Sequence, residues 1–189
     1  MIILINYKVR CFIMISEKLE TLLNDQIQKE LYSAYLYFSF EAYFTSRNLN
    51  GYAHWFRVQA MEERDHALIF FNYINHVGGR VKLRQIDAPA WDFKSIEEVV
   101  SLQLDHERFV TKSIYTIADQ AIEEHDHKTS SFLQWFIDEQ AEEENNAEQN
   151  LSKIQLVGES DGKGVLLLDA EMGTRVYAVP SPLAASAQP

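Results

Sequence analysis

Four long stretches of the chain repeat apolar residues at helical spacing, and each repeat carries a glutamate near its middle. The first stripe reads Leu19, Leu23, Ile27, Glu30, Ala34, Tyr37. The second reads Phe56, Gln59, Glu63, His66, Phe70, Tyr73, Val77. The third is Ile96, Val100, Gln103, Glu107, Val110, Ile114, Ala118, and the fourth Phe132, Phe136, Gln140, Glu143, Ala147, Ile154. Spacings of three and four place each set on one face of an α-helix.

Punctuation residues set the expected boundaries. Ser16, followed by Glu17, caps a helix that runs to Ser46, and 48–51 form the break. A second helix runs from Gly51 to Val77 and stops at Gly78-Gly79. Residues 80–94 lack helical period, contain Pro89 and read as a connection. Ser95 with Glu98 forms a capping box for a third helix that ends between Glu124 and His127. A fourth begins between Thr129 and Ser131 and ends near Gly158. VLLLDAEM (165–172) is a short fifth helix, and 174–189, rich in Ala, Pro and Ser, is expected as a mobile tail. Rods of about 40 Å, with two short loops flanking one long one, predict an all-α four-helix bundle of two antiparallel hairpins. Residues 78–94 then cross its length.

In matched rods the midpoints meet at one level, so Glu30, Glu63, Glu107 and Glu143 are predicted to share a layer of the core. Burying ionised carboxylates together costs several kcal/mol per ion, roughly, unless they are paired. No lysine or arginine falls in the four stripes. Divalent cations are the remaining neutraliser, and an oxygen-rich set with one imidazole suits iron, manganese or zinc. Glu63 and His66, one turn apart, can face one ion or a close pair.

Composition adds limits. The chain has 189 residues, 47% hydrophobic, with a formal net charge of −11. That balance disfavours nucleic acid and anionic membranes as partners. The single cysteine, Cys11, excludes a disulfide or CxxC knuckle within one chain. Residues 1–14 are apolar but carry Lys8 and Arg10 inside the apolar stretch, with no small-residue cleavage site after it. We expect a cytoplasmic protein in which 1–13 are an extension ahead of a natural start at Met14, or a short ordered arm. The expected organisation is an N-terminal extension 1–15, one domain 16–173 and a tail 174–189.

The segments QKELYSAYLY (28–37), MEERDHA (61–67), DHE (105–107), FLQWFIDEQAEEE (132–144) and GKGVLLLDAEM (162–172) resemble the ferritin family, specifically the non-haem ferritins of bacteria and archaea. The resemblance covers about residues 16–175. It implies a ferritin-like bundle with a short fifth helix, and an iron-storing ferroxidase. Fe(II) would be oxidised by O₂ or peroxide at a di-iron centre, and Fe(III) mineral deposited inside a hollow homo-oligomer of about 24 chains. Carried over by position, Glu30, Glu63 and His66 match the first iron site. Glu107 and Glu143 match the second, with Glu63 bridging and Gln140 alongside. Glu62, Glu139 and Glu142, with Glu143, match a third iron site, the bland alternative being a solvated acidic face. Tyr37 matches a tyrosine beside the first site, or is simply a core aromatic.

Departures narrow the resemblance. The fourth helix carries Gln140-Ala141-Glu142-Glu143 where many di-iron enzymes repeat Glu-x-x-His. Arg64 follows Glu63 where bacterioferritins place a haem-binding methionine, so no haem is expected. His54, His76, His106, His125 and His127 are expected on surfaces or helix ends. Two rival readings remain, a di-iron oxygenase or peroxidase acting on an organic substrate, and a structural subunit with a dead site. The first needs a substrate pocket and usually the second histidine; the second needs lost ligands.

Overall fold

A computed structural model describes residues 15–186, so the readings of 1–14, the start at Met14 included, and of 187–189 lie outside the described residues. Its elements are α1 (Glu17–Ser46), α2 (Asn50–His76), α3 (Ile96–Glu123), α4 (His127–Val157), α5 (Gly162–Met172) and α6 (Ser181–Ser186). No strand occurs among the described residues.

The capping chemistry explains most boundaries. Ser16 and Ser95 each accept a backbone N–H three residues on, from Leu19 and Glu98. Gly78, at φ +80°, supplies the left-handed residue that ends α2. The α3–α4 turn is tighter than the sequence suggests, because Asp126 accepts from the backbone N–H groups of Lys128 and Thr129 at 3.1 Å each. That cap draws His127 into α4 as its first residue. In α5, Asp161 caps through the Lys163 N–H, so the helix starts three residues before Val165.

α1 and α2 pack as one antiparallel hairpin and α3 and α4 as another, joined by the irregular segment 77–95. Two apolar clusters record the register. One joins Phe40 and Phe44 of α1 to Tyr52 and Phe56 of α2, Val99 and Val100 of α3, and Ile154 of α4. The other joins Leu19, Leu23 and Ile27 to Phe70 and Ile74, Ile114 and Ile117, and Leu133 and Phe136. α2 and α3 therefore run parallel, which only a bundle-length crossover permits. Phe93, 4% exposed, pins the end of that crossover into the first cluster. Between the clusters every long helix contributes a polar residue to the core: the layer predicted from the stripes.

The segment expected as a mobile tail is packed, through residue 186, against α2. Arg175 and Tyr177 reach α2 side chains, and α6 lies on the same helix.

Candidate metal centre

Glu30, Glu63, Glu107 and Glu143 arrive one from each long helix and are 1%, 2%, 0% and 3% exposed. Glu63 and His66 project from successive turns of α2 towards Glu30 on α1. One ligand atom from each lies within 4.8 Å of the others. Among the described residues, Glu30 Oε2, Glu63 Oε2 and His66 Nε2 are buried with no hydrogen-bond partner. Native cores rarely leave such atoms unpaired, and the meeting of their three residues in one buried cluster, with His66 Nδ1 3.5 Å from Glu63 Oε2, marks a place for a cation. The other Glu30 oxygen accepts from Gln26 Nε2 at 2.9 Å, and Gln26 in turn accepts from Ser113 Oγ at 2.6 Å. This fixes the Glu30 carboxylate while leaving one oxygen free.

Glu107 and Glu143 form the opposite side. Glu107 accepts from the Tyr37 hydroxyl and, at 3.4 Å, from Gln140 Nε2. Gln140 Nε2 also lies 3.3 Å from Thr111 Oγ1. Glu143 accepts from Gln59 Nε2 at 3.0 Å. Tyr37 thus donates to Glu107, and Glu63 also acts on its hydroxyl. α1 carries Tyr37 two turns beyond Glu30, across the layer.

The electrostatics follow from crowding. Burial first, then repulsion from Glu63, raises the Glu30 carboxyl to about 8. Burial and the carboxylates of Glu107 and Glu143 push Glu63 well above its ordinary range. Glu107 is raised by burial and by Glu143. Mutual repulsion in a dry layer is the condition that divalent cations relieve.

The third group is wetter. Glu62 and Glu139 are partly buried and Glu142 is exposed. With Glu143 they line an open cavity of about 490 Å³ beside Trp55 and Trp135. Glu139 Oε1 lies 3.9 Å from His66 Nε2, linking the two groups. Burial lifts Glu62 to about 7, against the pull of Arg175. Arg175 is the residue that stripe reading missed. Its guanidinium bonds Glu62 and Gln59 and lies 4.0 Å from Glu143 Oε1. No helical period announces it, because it comes from the irregular segment after α5.

His106 corrects a further expectation. It sits mid-α3, with Nε2 2.8 Å from Ser33 Oγ and the rings of Tyr32 and Tyr37 against it. Burial lowers its pKa to about 4. His54 is half-buried, bonded to the Arg175 carbonyl at 2.8 Å.

Parallel α2 and α3, the long crossover and a buried carboxylate–imidazole layer define a ferritin-like bundle. The ferritin-like domain family model matches residues 20–157. The chain belongs to this ferritin family, and its relatives are non-haem ferritins of bacteria and archaea. It is 38% identical over 160 residues to a non-haem ferritin-like protein of Haemophilus influenzae, covering 85% of this chain and 96% of that one. It is 37% identical to a bacterial non-haem ferritin of Staphylococcus aureus, covering 87% and 98%. The open-pore ferritin of Archaeoglobus fulgidus superposes with a TM-score of 0.84 at 42% identity, covering 86% of this chain and 98% of that one.

Proposed function

We propose that this chain stores iron in the cytoplasm and oxidises Fe(II) at a di-iron centre in the carboxylate layer, delivering Fe(III) to mineral inside a closed homo-oligomer of about 24 copies. The observation that carries the reading is the convergence of ligand atoms from three buried residues, Glu30, Glu63 and His66, each of which also has a polar atom without a hydrogen-bond partner, in a core layer lined by further glutamates. Iron here is substrate and cargo. Glu30, Glu63 and His66 would hold the first ion. Glu107 and Glu143 would hold the second, with Glu63 between. Gln140 orients the Glu107 carboxylate, and the Tyr37 hydroxyl hydrogen-bonds it. Glu62, Glu139 and Glu142, with Glu143, would take a third ion at the wetter edge.

Hard carboxylate oxygens favour Fe(III) over Fe(II), so the site promotes loss of an electron from each ion. A pair of ions supplies the two electrons that reduce O₂ to hydrogen peroxide, with two protons, or hydrogen peroxide to water. Arg64 stands where haem ligation would need a methionine, so the centre is read as haem-free. No helix among the described residues is long and apolar enough to cross a membrane, and the acidic chain offers nucleic acid no complementary charge.

Fe(II) added in air to the purified protein should yield a particle of several hundred kDa that retains hundreds of irons on size-exclusion chromatography. A small oligomer that stops near two irons per chain would sink the storage reading.

Metal uptake should also displace protons. The Glu30 carboxyl, near 8, retains a proton at pH 6.5 that a cation must expel. Calorimetric titration of Zn(II), in buffers of different ionisation enthalpy, should show more proton release per metal at pH 6.5 than at 8.5. The same shift sets the stability of the metal-free protein. Folded values raised above the ordinary 4.5 mean that the unfolded chain gives up its protons first. Stability is therefore greatest at or below about pH 4.5 as far as Glu30 is concerned, and declines up to about pH 8.

A further inference from the structure

The acidic cluster at the wet edge of the centre already contains a cation of the protein's own. Arg175 lies three residues after the end of α5, and its carbonyl is held by His54 Nε2 at 2.8 Å. Its guanidinium lies 4.2 Å from the Trp55 ring centre. One arm donates to Gln59 Oε1 and the other to Glu62, while Glu143 Oε1 is 4.0 Å away. Both side chains of the Arg175–Glu62 pair are only 14% exposed, whereas the Arg57 and Arg108 side chains in surface ion pairs are 60% and 46% exposed. Two residues on, the Tyr177 hydroxyl donates to Asp65, a second tie between this segment and α2. A planar fork stacked on an aromatic ring and bonded on both arms is a held group.

We propose that Arg175 is the resident counter-cation of the Glu62–Glu139–Glu142–Glu143 cluster, and that a metal ion occupies this cluster only by displacing the guanidinium. This rests on the third-ion reading above and adds its control. Glu62 is the shared partner: its carboxylate accepts from Arg175 and would have to turn to a metal. Glu143 feels the same competition, since Gln59 holds one of its oxygens and Arg175 faces the other. Arg175 is thus a positioning residue that weakens and shortens metal residence at the edge of the centre, because the tethered guanidinium returns whenever the ion leaves. The arrangement favours transit over retention.

The test uses the assembled, metal-free protein and Zn(II), which is redox-inert. Calorimetry of the wild type should show two tighter equivalents per chain and a weaker third. In Arg175→Gln the third equivalent should tighten about tenfold, as expected from loss of one charge-assisted competitor, with the first two shifting far less. Arg175→Lys, which keeps a point charge and loses the fork, should fall between. Adding Glu62→Gln to Arg175→Gln should remove the gain. An unchanged or weakened third equivalent in Arg175→Gln overturns the role of Arg175 while leaving the third site standing. Absence of a third equivalent from both wild type and Arg175→Gln overturns the third-site reading and this inference with it. Should Arg175→Gln not assemble, Arg175→Lys decides: tightening supports displacement, and no tightening rejects it.

Discussion

Glu63→Ala is expected to reduce the initial rate of Fe(II) oxidation by at least about 100-fold while leaving the protein assembled. Outer partners of metal ligands commonly cost 10–100-fold when removed, roughly, and a residue facing both ions should cost no less. Glu63 is 2% exposed, shares a cluster with Glu30 and His66, and interacts electrostatically with Glu107 and Glu143. The fold should tolerate the change. Removing one of four crowded glutamates relieves repulsion, and the two apolar clusters on either side are untouched. Stopped-flow absorbance gives the rate and size-exclusion chromatography the assembly. An initial rate equal to wild type would refute the placement of the centre.

Gly51→Ala should destabilise the protein by about 3 kcal/mol, the upper part of the usual range for overpacking. Helix propensity alone argues the opposite, since alanine is better than glycine in a helix by about 1 kcal/mol. Packing decides. A Cβ at Gly51 would stand 1.6 Å from the Asp169 carbonyl oxygen and 2.5 Å from its carbon. Both are backbone atoms of α5 that cannot swing aside. The same contact is closed by Asp169 Oδ1, which accepts from the Tyr52 N–H at 2.9 Å. α5 must therefore lift off α2, and the segment carrying Arg175 begins only at its end. Denaturant unfolding gives the stability loss, and limited proteolysis should show new cleavage between 158 and 175. A variant as stable as wild type would mean that α5 does not dock at Gly51.

The sequence by itself determined the rods, their caps and the layer. Each glutamate is legible because it sits in phase with apolar neighbours on its own helix, and period is a local property. The turn between Glu123 and His127 was less legible, because Asp126 could cap only once its φ and ψ were set by the end of α3. Tyr37 was recognisable as buried, but its partner depended on which helix faced α1 across the layer. His106, off the stripe of α3, gave no sign that Ser33 and two tyrosines would enclose it. Arg175 and Tyr177 were decided by tertiary structure alone. They lie in an irregular segment of small residues and prolines whose composition suggests a free tail, and no periodicity relates them to α2. Their placement follows from where α5 ends against Gly51. The counter-charge absent from the four stripes thus comes from outside all four long helices, 113 residues beyond the Glu62 that it pairs with, which only the packed chain reveals.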